Sequence, residues 1–173
     1  MSKGQIAGQA FVYIFALIIT MGVIAFGYRT IIFLEEKSKQ ADETMLIQQL
    51  TGDISYARSY GTQITDKTYA LPPGYTKICF ADKKIGSQNI PQNIPPLVAD
   101  NLKTSSEANT FFYAYGKIKP FYIKEIKLKA SEPAECIDAK NRIVRLDFTG
   151  CGEKTVVQDH QNNQDTTAET ICQ

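Results

Sequence analysis

Metal-binding and catalytic signatures are scarce in this chain. It has one histidine, His160, and four cysteines, Cys79, Cys136, Cys151 and Cys172, with no CxxC pair among them. These are too few well-spaced ligands for a zinc site. No serine sits in a GxSxG elbow, and no glycine-rich loop matches a phosphate-binding pattern. The stretch DHQNNQD at 159–165 sets oxygen ligands at alternate positions. It lacks the glycine at the sixth place and the glutamate at the twelfth that a calcium loop needs. A dominant sign of charge is missing as well. Nineteen basic and eighteen acidic side chains nearly cancel, so no global field favours nucleic acid or an anionic surface. No N-x-S/T glycosylation acceptor is present. The residues therefore point away from an enzyme and call for no metal or cofactor.

Charge vanishes altogether from Gly4 to Tyr28, with Lys3 and Arg29 at the two ends. As a helix, that run reaches roughly 37 Å at about 1.5 Å per residue, more than the ~30 Å hydrocarbon core of a bilayer. A cleaved secretory signal has a shorter apolar centre of about 7–15 residues and a more basic start. Small residues in Ala25-Phe26-Gly27 make a conventional cut imaginable, but apolar character resumes at once with Ile31, Ile32, Phe33 and Leu34. A membrane-embedded helix is the better reading.

Past Arg29 the chain turns polar without turning irregular. Ile47, Leu50, Ile54 and Ala57 fall at three-and-four spacing, with Tyr60 near the same side, which is one apolar stripe on a helix. Glu35, Lys39, Asp42 and Glu43 lie on the remaining surface or before the stripe starts. The pattern predicts one helix from near Gly4 to about Tyr60, embedded in its first half and amphipathic in its second. Gly61 is its natural terminator, and residues 47–60 are expected to roof the chain's own core.

After Gly61 the period changes. KTYALPPGYTKICFAD reads as two short strands around a type II turn at Pro73-Gly74. The tetrapeptide QNIP occurs twice, at 88–91 and 92–95; four residues are too few for a structural repeat, so this is a proline-stiffened loop before a short helix from Pro96. TFFYAY, FYIKEIKLKA and CIDAKNRIVRLDF are strand candidates. In the last, Val144, Leu146 and Phe148 alternate with Arg145 and Asp147, the sign of a half-exposed strand, and Asn141 can turn the chain before it. A final strand is expected at about 153–158. Lys117, Lys119, Lys124, Lys127 and Lys129 read as a solvated face that blunts edge pairing, and no nucleic-acid partner is expected. The fold class is α+β: a long N-terminal helix, then a small antiparallel β domain.

All four cysteines lie beyond the apolar segment, and scattered even-numbered cysteines suit disulfides in an oxidising exterior. Three pairings are open. Cys79–Cys136, both within strand candidates, and Cys151–Cys172, which ties down the polar tail, are expected.

A short basic leader, a glycine, an apolar helix continuing as an amphipathic one and a small β domain together resemble an archaeal type IV pilin-like protein with a class III (prepilin) signal peptide. Lys3-Gly4-Gln5 looks like the processing site, a KGQ leader of the kind found in DPANN-type and other archaeal genomes. LPPGYTKICF is similar to a hairpin of such proteins. The resemblance implies residues 1–4 as leader, 5–60 as helical spine, 61–158 as an extracellular β domain and 159–173 as a polar tail. It implies cutting after Gly4, with Gly8-Gln9 as the alternative, and a helix that assembles through Gln9, Phe11, Ile14, Phe15, Ile18 and Ile19. Many pilins carry glutamate at the fifth mature position, where this chain has Gln9, a neutral amide that is less costly to bury than a carboxylate. Ala16, Thr20 and Gly27 lie near one side and offer close helix approach. The implied partners are further copies of the chain, a prepilin peptidase, a pilus assembly machine and, before assembly, the membrane. The implied product is an extracellular filament for adhesion or surface attachment. Two other readings stay open: a single-pass anchored ectodomain that binds a ligand or partner without polymerising, and a cut-and-secreted binding protein.

Overall fold

The computed structural model describes residues 4–82, 90–104, 107–124, 126–128, 133–162 and Cys172. Two units make up the chain, Met1–Ala41 and Asp42–Gln173. The described residues of the first all belong to helix α1, Gly4–Tyr60, which runs on into the second. Strands β1 (Gln63–Ala70) and β2 (Lys77–Ala81), helix α2 (Pro96–Lys103) and strands β3 (Thr110–Ala114), β4 (Lys117–Phe121), β5 (Ile126–Lys127), β6 (Ala134–Asp138), β7 (Ile143–Gly150) and β8 (Thr155–Asp159) follow, then a 3-10 turn, His160–Asn162. The α+β class is thus observed: a long N-terminal helix followed by sheets in which antiparallel pairing dominates.

The helix ends as glycine chemistry requires. Gly61 takes φ +58°, its N–H donates to the carbonyl of Arg58 at 3.3 Å, and the Thr62 N–H donates to that of Ala57 at 3.1 Å. These two bonds satisfy carbonyls the last turn would otherwise leave orphaned.

Among the described residues, eight strands form two sheets of four, in the orders β1-β7-β8-β5 and β4-β3-β2-β6. One pairing is parallel, β5 on β8, so the domain is not purely antiparallel as expected. The alternation of side chains explains the layering. On β2, Ile78 and Phe80 join Phe112 of β3 and Ile137 of β6 in the main core, together with Val144, Leu146 and Phe148 of β7, Val157 of β8 and Leu46, Leu50, Ile54 and Ala57 of α1. The intervening residues Cys79, Ala81, Phe111 and Ala134 join a second cluster with Ile94 and, from α2, Val98. The central strands β2 and β3 are therefore buried on both faces, which accounts for their nearly continuous hydrophobic runs.

The strands flanking Pro73-Gly74 are not hairpin partners, contrary to expectation. The turn forms, with Tyr75 N–H donating to Pro72 O and Gly74 at φ +96°, but β1 pairs with β7 and β2 pairs with β3 and β6. Asn141 and Arg142, both at positive φ, make the return crossing between sheets. The two crossings are tied together. Leu71 N–H donates to Arg142 O at 2.7 Å, Ala139 N–H donates to Thr76 O at 2.8 Å, and the Arg142 guanidinium donates twice to Leu71 O. These bonds, two of them charge-assisted, offset a strained arginine backbone worth on the order of 1–3 kcal/mol.

FYIKEIKLKA, read as one strand, instead contributes the end of β4 and the two-residue β5. Between them, buried Asn109 acts as a surrogate peptide group. Its amide donates to Ile123 O at 2.7 Å and accepts the Ile123 N–H at 2.9 Å, which pins the loop where no strand partner is available.

Two disulfides form, Cys79–Cys136 directly across the β2–β6 pair and Cys151–Cys172. They are the two pairs expected.

Candidate functional site

Every large apolar side chain from Phe11 to Leu34 is exposed, Phe11 at 70%, Ile14 at 60%, Phe15 at 57%, Ile18 at 63% and Ile19 at 53%. Leaving so many aromatic and aliphatic groups in water opposes the hydrophobic effect, at roughly 1.5–3 kcal/mol for each large side chain. This segment is long and apolar enough to cross a membrane. Its threonine hydroxyls are turned inward: those of Thr20 and Thr30 donate to the carbonyls of Ala16 and Phe26, as hydroxyls do on helices in apolar surroundings. At its polar end the Lys37 ammonium lies over the Phe33 ring, 5.5 Å from its centre. Gly22 and Gly27 face open space.

Of the expected processing site, Lys3 lies outside the described residues. Gly4 and Gln5 stand in the first turn of α1, and of Gln5 and Gln9 only the backbone is described.

Within Asp42–Gln173, the later turns of α1 are held by polar clamps as well as by packing. Glu43 accepts a 2.8 Å bond from the Tyr75 phenol and pairs with Lys119 of β4 at 3.3 Å. Asp53 accepts a 2.6 Å bond from the Tyr69 phenol of β1 and pairs with Lys67 at 3.3 Å. One acid thus reaches each sheet. Burial and then Glu43 push the Tyr75 hydroxyl up to about 12. Burial, with Asp53 next, raises that of Tyr69 further still. Glu43, expected at the surface, is therefore a structural anchor. Tyr60, expected near the apolar stripe, is 69% exposed, while Leu46, at the stripe's other end, is buried. Lys119, assigned to the solvated lysine face, serves the clamp; Lys117 and Lys124 are exposed, and Lys129 lies outside the described residues.

A closer contact is made where β7 ends. A Cβ on Gly150 would stand 1.9 Å from the Ala57 carbonyl oxygen, so only glycine lets this strand meet the helix. Beside it the Thr155 hydroxyl donates to Ile54 O at 2.9 Å.

The single histidine is also structural in its surroundings. His160 Nδ1 lies 2.9 Å from Asp147 Oδ1, and the same carboxylate oxygen accepts the Asp66 N–H at 2.7 Å. Asp66 sits at φ +54° where the β1–β7 register shifts. Asp147, read from alternation as half-exposed, is buried at 3%. Among the described residues no group of histidine, cysteine and carboxylate side chains could hold a metal ion. Residues 163–165 of the weighed calcium loop lie outside the described residues.

Comparison with family models, with curated proteins and with solved structures finds no match for the chain.

Proposed function

We propose that this chain is the structural subunit of an archaeal type IV pilus-like extracellular filament, assembled through its N-terminal apolar helix and serving adhesion or surface attachment. One observation carries the reading: the apolar turns from Phe11 to Leu34 are uncovered on a helix whose later turns roof a disulfide-bonded β domain. Such a helix is stable in lipid, or among copies of itself once extracted. Heterologous contacts between copies that do not close into a ring give a filament. Phe11, Ile14, Phe15, Ile18 and Ile19 supply the buried surface, with Gln9 near the start of the helix. The membrane holds the subunit first, a prepilin peptidase cuts after Gly4, and an assembly machine extracts it, with the β domain outside the cell. Two disulfides suit that oxidising side.

The mature amino terminus tests the reading. Mass spectrometry should find Gln5 first, and electron microscopy of sheared surface material should show fibres containing this chain. Tyr28 first would indicate secretion instead, and an intact Met1 would remove the peptidase step. A second reading, a single-pass anchored ectodomain that binds a partner without polymerising, is favoured by the membrane-crossing length of the helix. Correct processing without fibres would select it.

A further inference from the structure

We infer that the Cys151–Cys172 bond is a thiol-exchange site, opened by a dithiol that attacks it at Cys172, while Cys79–Cys136 stays closed as a structural cross-link. The inference is independent of the filament reading.

Thiol–disulfide exchange needs a thiolate to reach one of the two sulfurs, so access decides which bond reacts. Cys79 is 1% exposed and packs with Ala81, Val98, Phe111 and Ala134, and Cys136 is half-buried against the same cluster. Their bond spans two strands that are paired on either side of it, Ile78 with Ile137 and Phe80 with Glu135. A thiolate reaches Cys79 only after β2 and its neighbours part.

The second bond is placed differently. Neither Cys151 nor Cys172 lies in a strand. Cys151 is half-buried and Cys172 is exposed, with its Sγ 4.0 Å from Gly150 O. Cys151 opens the tight turn from β7 to β8, where its N–H donates to Lys154 O at 2.8 Å and Gly152 takes φ +79°. A cleft of about 400 Å³ lies on this turn, lined by Arg58, Gly152, Glu153 and Lys154. Its two cations outnumber its one acid, which favours Cys151 as the sulfur that leaves as a thiolate.

The exchange runs in two displacements. A thiolate of the dithiol bonds to Cys172 Sγ as the Cys151–Cys172 bond breaks, and Cys151 departs as a thiolate that takes a proton from water. The second thiol of the dithiol, as a thiolate, then displaces Cys172, which is protonated in turn. The chain gains two electrons and two protons, and the dithiol, now a disulfide, has lost them.

What opening releases is local. β8 stays paired with β7 at five positions and with β5 at two. The Thr155 hydroxyl still meets Ile54 O, and Asp147 and Lys140 still hold His160 and Gln161 of the following turn. Reduction therefore unties residue 172 from the end of β7 and leaves both sheets standing.

Timed reduction of the full chain in detergent tests this. Dithiothreitol is the dithiol, iodoacetamide quenches the reaction, and mass spectrometry maps the labelled cysteines. Labels should appear on Cys151 and Cys172 at least about a hundredfold sooner than on Cys79 and Cys136, because the buried bond reacts only in opened molecules, a fraction of about 10⁻³ or less. With reduced glutathione instead, the mixed disulfide should sit on Cys172 and the label on Cys151. In the chain reduced at Cys151–Cys172 alone, hydrogen exchange should leave the backbone of β7 and β8 protected. Simultaneous reduction of both bonds, earlier reduction of Cys79–Cys136, or a Cys151–Cys172 bond that resists the dithiol until the domain unfolds would each overturn the inference. So would a glutathione adduct on Cys151, or protection lost throughout β7 and β8.

Discussion

Asp53 of the helix and Tyr69 of β1 meet in a 2.6 Å hydrogen bond, with the phenol ring buried edge-on against Phe148. A carboxylate that would otherwise sit idle on a helix flank is thereby made a tie between helix and sheet. Tyr69→Phe keeps the ring and removes the bond. It should destabilise the domain by about 1.5–3 kcal/mol, the range for a hydrogen bond to a charged group, read as a lowered denaturant midpoint at unchanged slope.

The companion clamp at Tyr75 predicts a pH dependence. Its hydroxyl titrates at about 12 in the folded chain against an ordinary 10.0. The folded state holds the proton more tightly, so this contribution is complete below pH 10 and is lost as pH rises from 10 through 12. Unfolding curves across that interval should show a loss of stability that Tyr75→Phe reduces.

Gly150→Ala should be among the most damaging single changes. The added carbon would meet the Ala57 carbonyl oxygen at 1.9 Å, and backbone stands on both sides of the clash. We expect a loss of about 3 kcal/mol or more, at the upper end for overpacking, with reduced yield of folded chain. Wild-type stability in this variant would contradict the contact.

Reduction should separate the two cysteine states cleanly. The native chain should show no free thiols and the reduced, unfolded chain four. Replacing both Cys79 and Cys136 by alanine should cost about 2–5 kcal/mol, as for native disulfides in small domains. A comparable thermal midpoint with and without reductant would argue against that role.

Two substitutions on one helix should part company. Leu50→Ala, at a fully buried site, should cost about 2–5 kcal/mol of domain stability through the cavity it leaves. Ile18→Ala, at an exposed site, should leave that stability untouched and reduce fibre yield.

What the sequence reveals here is what is local. The Ile47–Ala57 spacing, the terminating Gly61, the turn at Pro73-Gly74 and the turn residue Asn141 each follow from a few neighbouring side chains, and each is present. Beyond the two cysteine pairs, partners distant in sequence are not legible. Nothing in KTYALPPGYTKICF says that its two strands enter different sheets, because that choice is made by β7 and β3, far along the chain. Alternation alone leaves Asp147 at the surface; a register shift in β1 and the imidazole of His160 give it partners inside. Glu43 likewise looks like solvent-facing charge until Tyr75 of the turn and Lys119 of β4 reach it. A buried acid such as Asp147 is specified by its partners and not by its own neighbours.

The pairing of β1 with β7 joins Gln63 to Thr149, and this bears on synthesis. A ribosome delivers the helix and β1 long before β7 exists, and β8 comes later still. Until those last strands emerge, Leu46, Leu50, Ile54 and Ala57 have no core to enter. Long-range pairing of this kind closes slowly and leaves apolar surface open to wrong association in the meantime. The newborn chain must therefore wait, half made, until β7 and β8 have left the ribosome.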